Sequence, residues 1–364
     1  MGQAWIDGSP VALAAAIEEA ARLLGTSRLP LIAGLGTDVA GTRAALRLAQ
    51  QLGGVVDQMQ STALLRDLDV AREAGVMVTT PNEARLRADV IWLVGAASAG
   101  WLESFVRPAP DIQGRERRII WLCPPREGET LARRDVSMES IGVRPAELPA
   151  LLAALRARLA GRPTGKVGVA GGKIDAMATT LKSAQFGVAV WSAAELDPLA
   201  IEMLCGIVKD LNAGTRFTGL PLPPADNAAG VLQTCGWTAG FPMRTGFGRG
   251  YPEHDPWRFD ARRLVVSAEA DCVLWVSAYR PVPPDWDVKV PTIALTVEGA
   301  HFRRLPQVHI AVGRPGVDHD AVEYLAAAAT LAAVPAAHKS ETISVAAAIS
   351  QIRERLPGGG RRSC

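Results

Sequence analysis

Between Ser27 and Arg66 the apolar and polar positions spell out a strand, a turn, a helix and a second strand. Leu29 to Ala33 is an apolar run of buried-strand length, closed by Gly34-Leu35-Gly36. Thr37 or Asp38 is placed to cap the helix that follows. Ala45, Leu48, Ala49 and Leu52 recur at three- and four-residue spacing and give that helix one apolar face. Gly53-Gly54 ends it before Val55-Val56 opens the next strand. In such a unit the free N–H groups at the helix start can face an anionic group, and glycines let a ligand approach the main chain.

The rest of the chain repeats this rhythm. A stripe of Val11, Ala14, Ile17, Ala21 and Leu24 predicts a first helix over residues 9–25, started by Ser9-Pro10. Strands are predicted at Val76–Thr79, Val90–Val94, Arg118–Leu122, Lys166–Ala170, Phe186–Trp191, Cys272–Ser277, Thr292–Thr296 and Val308–Val312. Helices are predicted as a turn at Asn82–Arg85, then at Pro145–Ala160, from Gly171 through Ala184, and at Leu199–Leu211, Ala321–Ala332 and Ile343–Leu356. Alternation of this kind implies an α/β protein with two or more Rossmann-like lobes and mostly parallel sheets. Gly161–Gly165 looks like a linker, which puts a first lobe at 1–162 and a second at 163–357, with a glycine and arginine tail at 358–364. Residues 212–260 break the pattern with dense Gly, Pro and aromatics, and this predicts a long loop that carries a ligand or partner surface.

Composition narrows the function. The net charge is +2 and no basic block is interleaved with aromatics, which argues against nucleic acid as a partner. No apolar run approaches the ~20 residues that span a bilayer, and the N-terminus lacks a signal pattern, which predicts a cytoplasmic chain without a membrane role. Aromatics are 5% of residues, so the core must be built from Ala, Val, Leu and Ile. The five cysteines, Cys123, Cys205, Cys235, Cys272 and Cys364, form no Cys-x-x-Cys pair, which fits a reducing compartment and removes the common zinc and iron–sulfur spacings. Asp318-His319-Asp320 suits a helix cap better than a metal.

The phosphate motifs are incomplete. From Gly36 to Arg43 the outer spacing is that of a Walker A loop, but Thr42 stands where lysine is required. Gly34-x-Gly36 lacks the third glycine of the dinucleotide fingerprint. A stand-alone nucleotide-binding enzyme is therefore the weakest of three functional classes for this chain.

Three stretches carry a family resemblance: the opening unit ending in Val56-Asp57, the run TTPNEARLRADVIWLVG from Thr79 to Gly95, and the loop from Thr215 to Pro256. Together they resemble the B subunit of formylmethanofuran dehydrogenase, of the molybdopterin oxidoreductase superfamily, and most closely the B subunits of bacterial formyltransferase/hydrolase complexes of methylotroph one-carbon metabolism. The resemblance implies that superfamily's α/β fold without its N-terminal iron–sulfur domain, because Trp5-Ile6-Asp7-Gly8 matches the start of the domain that follows it. It also implies tungsten or molybdenum held between two pterin guanine dinucleotides with a cysteine thiolate as ligand. Here the ligand position falls at about Ala63, in Gln60-Ser61-Thr62-Ala63-Leu64-Leu65-Arg66, and no cysteine precedes Cys123. Without thiolate or cluster, two-electron chemistry has no reactive centre.

The expectation is thus a non-catalytic subunit with no cofactor, no metal and no catalytic residues. The resemblance makes Gly34, Gly36, Thr37, Asp38, Asn227, Thr238, Gly240 and Gly248 candidates for a vestigial cofactor pocket between the lobes. Implied partners are an amidohydrolase-like hydrolase, a formyltransferase and a C subunit. The alternative is a tungsten or molybdenum oxidoreductase subunit that still binds bis(pterin guanine dinucleotide).

Overall fold

The structure, a computed structural model, describes residues 3–106, 116–126, 136–338 and 340–356. In chain order the first elements are β1 (Ala4–Ile6), β2 (Ser9–Val11), α1 (Leu13–Thr26), β3 (Pro30–Gly36), α2 (Val39–Leu52), β4 (Val55–Val56), α3 (Ser61–Ala74), α4 (Pro81–Arg87), β5 (Val90–Val94) and α5 (Ser98–Val106). Then come β6 (Arg117–Leu122), β7 (Val136–Ile141), α6 (Leu148–Leu159), α7 (Gly171–Lys182), β8 (Phe186–Trp191), α8 (Pro198–Leu211), β9 (Arg216–Pro221) and α9 (Ala228–Ala239). The last are β10 (Thr245–Gly246), β11 (Glu253–His254), α10 (Ala261–Val266), β12 (Cys272–Ser277), β13 (Thr292–Thr296), β14 (Val308–Ala311), β15 (Ala321–Leu325), β16 (Thr330–Val334) and α11 (Val345–Glu354).

Two compact units result, and their division differs from the expected cut at 162/163. The first joins Met1–Ser61, Ala225–Leu325 and Thr330–Cys364; the second is Thr62–Pro224 with Ala326–Ala329. A linear cut fails because β3 pairs with β12, across more than 200 residues of sequence, and β14 pairs with β1. Gly161–Gly165 is a loop within the second unit rather than a boundary.

The first unit holds a nine-stranded sheet in the order β11-β10-β4-β3-β12-β13-β14-β1-β2. Its centre, β4 to β14, is parallel, and both margins are antiparallel. Successive residues of β3 serve opposite faces, as strand geometry demands. Ile32 joins Leu274 and Val276 in a core with α1, α2 and α11, while Leu31 and Ala33 join Val273 and Trp275 in a core with α10. The second unit holds a five-stranded sheet, all parallel, in the order β7-β6-β5-β8-β9. Trp92 and Ile120 face α6, α7 and α8, while Ile91 and Trp121 face α4 and α5. The α/β class with mostly parallel sheets is as expected.

Several local expectations are corrected. The first helix begins at Leu13, because Asp7-Gly8, both at positive φ, turn Ser9–Val11 back on β1 as a hairpin. Val76–Thr79 forms only a bridge from Val78 to Gly219, and Lys166–Ala170 forms no strand, although Val169 still buries its side chain in the core. The supposed loop 212–260 contains β9 and the 12-residue α9. Two interior glycines lower the helix propensity of α9, and burial of Val231, Thr234 and Cys235 outweighs that cost. The expected helix Ala321–Ala332 is the β15–β16 hairpin. Alanine favours helix locally, but Val322 and Tyr324 suit a strand, and Asn227 accepts a hydrogen bond from the Tyr324 N–H. The tail 358–364, with Cys364, lies outside the described residues.

Candidate functional site

In the first unit the chain leaves β3 through α2 to β4 on one side, while β12 lies on the other. The carboxyl ends of β3 and β12 therefore flank a topological switch point, the place where open α/β sheets bind ligands. Gly34 has φ +79°, and a Cβ there would lie 2.5 Å from the Val276 carbonyl oxygen, so only glycine fits. Gly36 is hemmed by Met59, Asp226 and Ser277. Asp38, not Thr37, caps α2: its Oδ1 accepts from the Gly41 N–H at 2.9 Å. Asn227, in the left-handed region at φ 55°, donates from Nδ2 to the Thr37 carbonyl at 2.8 Å and accepts from Tyr324 through Oδ1 at 2.9 Å. Beside it the buried Asp226 carboxylate is paired with the Arg280 guanidinium.

These bonds bring Gly34, Gly36, Thr37, Asp38 and Asn227 together and fill the mouth of the switch point with the chain's own groups. The other three candidates lie elsewhere. Thr238 and Gly240 end α9, whose 12 residues put them roughly 18 Å of helix from Asn227. Gly248 lies against Gly53, which ends the 14-residue α2 at the far end from Asp38. The eight candidates are thus split among three places. A phosphate at the start of α2 would also meet the Asp38 carboxylate, which already holds one of the free N–H groups.

Sequence reasoning missed a buried charge cluster in the same unit. Arg244, at φ 60°, lies 3.5 Å from Asp57 and 2.6 Å from Asp260, and it donates to the Pro256 carbonyl at 2.6 Å and to Ser61 Oγ at 3.2 Å. Asp57 accepts from the N–H groups of Gln58 and Ala261. Burial pushes its carboxyl up to about 6, against the pull of Arg244. The only sequence signal was an aspartate directly after an apolar strand. The cluster fixes residues 244–261 to the strand end, and the Ser61 hydroxyl is held within it by Arg244 and Asp57.

In the second unit, β5 continues to β6 and β7 on one side and returns to β8 on the other, which creates a second switch point. Here a cleft of about 770 Å³ is lined by Gly95, Cys123, Val143, Arg144, Glu195 and Leu196, among others. Glu195 accepts from the Ala97 N–H just before α5 at 2.9 Å. Cys123 donates to the Val143 carbonyl, and burial raises its thiol to about 11, so it is a poor nucleophile near neutral pH. Ala63 is buried in the apolar core of this unit, with Leu64 and Leu65 beside it also buried. Arg66 donates to the carbonyls of Ala193 and Leu196. Asp67 accepts from the Trp191 indole, and burial raises its carboxyl to about 6.

No family model matches the chain. It is 36% identical, over 97% of its own length and 98% of the relative's, to the B subunit of the formyltransferase/hydrolase complex of Methylorubrum extorquens. The chain belongs to the family of formyltransferase/hydrolase complex B subunits. The crystal structure of the complex from the same organism, with methylofuran, contains a chain that matches over 97% of this one and 98% of its own length, at a TM-score of 0.86 and 34% identity. Beyond these, the chain is 30% identical, over 72% of its length, to the B subunit of a tungsten-containing formylmethanofuran dehydrogenase of Methanocaldococcus jannaschii, and spans 63% of that relative.

The tungsten relatives raise the question of whether this member of the family could hold the metal, and the residue at the expected ligand position does not fit it. The expected ligand position is a methyl group inside an apolar core, a place that offers no soft anionic donor. Among the described residues no three His, Cys, Asp or Glu side chains come together in a metal-holding group. No helix among the described residues is long and apolar enough to cross a membrane.

Proposed function

We propose that this chain is the non-catalytic B subunit of a formyltransferase/hydrolase complex in tetrahydromethanopterin- and methanofuran-linked one-carbon metabolism. Sister subunits would transfer the formyl group to a methanofuran-like carrier and release it as formate. The observation that carries the proposal is likeness along almost the whole chain to a subunit solved within such a complex, combined with Ala63 in an apolar core where a metal ligand would be needed. The switch-point residues Gly34, Gly36, Thr37, Asp38 and Asn227 then serve as walls of a closed turn, and the chain contributes shape rather than reacting groups.

Purification of the native protein from its host tests this. The chain should elute with a hydrolase, a formyltransferase and a C subunit, and elemental analysis should find tungsten and molybdenum far below one atom per chain. A chain that elutes alone removes the assembly role. Stoichiometric tungsten or molybdenum reverses the non-catalytic one.

A further inference from the structure

A helix starts at each of the two switch points, and a carboxylate of the chain is seated on each start. At α2 it is a local cap, since Asp38 lies three residues from the Gly41 N–H that it holds. At α5 it is not. The Ala97 N–H, just before Ser98, donates to Glu195 Oε2 at 2.9 Å, and Glu195 arrives from the loop after β8, 98 residues along the chain. The nearby Ser98 hydroxyl, which could have capped the helix, is turned to the Gly95 carbonyl at 2.7 Å.

The turn before α5 is shaped to receive an anion. Gly95 has φ +94°, and a Cβ there would lie 2.9 Å from Glu195 Oε2, so the absent side chain is what lets the carboxylate approach the main chain. The Gly95 carbonyl is also engaged by the Trp121 indole at 3.0 Å. Ala96 lines the cleft of the second unit, and its N–H has no acceptor among the described residues. A glycine turn with unpaired N–H groups at a helix start is what phosphate sites are built from.

The loop that delivers Glu195 is pinned. Arg66 donates from Nη1 to the carbonyls of Ala193 at 3.0 Å and Leu196 at 3.3 Å, on either side of Glu195. Leu196 is itself buried. Arg66 ends the segment Gln60–Arg66, where the family resemblance puts the metal ligand. The segment that lacks the thiolate thus fixes the loop whose carboxylate takes the anion position.

We infer that the start of α5 is an oxyanion site that the chain fills with its own Glu195 carboxylate, held there by Arg66. The cleft of about 770 Å³ beside it therefore refuses phosphate and pyrophosphate groups, those of a pterin dinucleotide included, although it has the room. The inference concerns the second unit alone and stands whether or not the sister subunits assemble as proposed.

The test is calorimetric titration of inorganic pyrophosphate into the purified full chain at low salt. The proteins are wild type, Glu195→Ala, Arg66→Ala and a control, Glu103→Ala, which removes an exposed charge from α5 away from its start. Wild type and control should show no binding up to about 10 mM, while Glu195→Ala should bind at least about tenfold more tightly than that limit and Arg66→Ala about threefold. Pyrophosphate should raise Tm in those two variants alone.

A Glu195→Ala chain that loses stability and gains no pyrophosphate is what a plain helix cap predicts, and it overturns the inference. Wild-type chain that binds pyrophosphate overturns it too. So does a control that gains as much as Glu195→Ala, which marks a general effect of charge. If Glu195→Ala does not fold, Arg66→Ala decides, and its failure to gain affinity is then fatal.

Discussion

The two parallel cores start with the same device and diverge at the opposite end. In the second unit Asp89, just before β5, accepts from the N–H groups of Gln185 and Phe186 at the start of β8. In the first, Asp271, just before β12, accepts from those of Arg28 and Leu29 at the start of β3. The registers agree: Val90 lies opposite Gly187 and Cys272 opposite Pro30, so each aspartate reaches the two residues that precede its partner strand's equivalent position. Followed outward, β4-β3-β12-β13-β14 has the neighbour order of β9-β8-β5-β6-β7, with the two segments exchanged along the chain. Four residues into the matched strands one unit has Gly34 and the other Trp191. Gly34 lets β12 press close, and Asn227 with the Asp226–Arg280 pair closes the end. Trp191 reaches over Gly219 and to Asp67, and the adjacent strand ends leave a cleft. One scaffold thus yields a sealed crevice or an open one, depending on what stands at the carboxyl edge.

The largest expected effect comes from breaking the sealed end. Gly34→Ala forces a Cβ into a left-handed residue against a backbone carbonyl, and should cost about 3 kcal/mol or more in urea unfolding of the full chain. A loss below about 1 kcal/mol would show that β3 and β12 do not press together there.

Next come the matched aspartates. Asp89→Ala removes the acceptor of two N–H groups from a buried site and should cost about 2 kcal/mol; Asp271→Ala, at a wetter site, should cost about 1 kcal/mol. The reverse ranking would break the equivalence of the two devices.

Asp67→Asn probes the open unit through pH. Burial raises the Asp67 carboxyl to about 6, so the folded state binds a proton more tightly than the unfolded one. Its contribution is present below the unfolded pKa near 4 and is lost as pH rises through 6. The variant, which keeps an oxygen for the Trp191 indole, should flatten the fall in stability between pH 4 and 7 by roughly 1–2 kcal/mol, as read from urea midpoints at each pH. The smallest effect belongs to Arg144→Ala at the rim of the cleft. Its pair with Glu147 is exposed to water and screened, and Tm should not move beyond the scatter of repeated measurements.

Local periodicity conveyed the central strands and most helices, because β3, β5, β8, β12 and α2 carry their own apolar pattern and caps. It failed where long-range packing decided the outcome. Ala321–Val334 is alanine-rich yet lies in a hairpin whose backbone Asn227 engages, and α9 tolerates Gly230 because the Asn227 side chain lies over it. Of the candidate site, the turn from Gly34 to Asp38 was readable from glycine spacing and a capping aspartate. The Asp57–Arg244–Asp260 cluster was not, since its members come together from positions up to 203 residues apart. Nor could spacing reveal that α9 carries Gly240 away from Asn227, or that Gly248 packs against Gly53 at the far end of α2 from Asp38.

The insertion of the second unit between β4 and α9 has a consequence for how the polypeptide emerges from the ribosome. Residues 62–224 can complete their five parallel strands while β3 and β4, made earlier, still lack β12 as a neighbour. The first unit is sealed only once α11, made well after β12, covers α2. Until then a nascent chain exposes the apolar faces of Ile32 and Val56, so a premature stop before Cys272 should leave one finished unit tethered to a sticky, chaperone-dependent remnant.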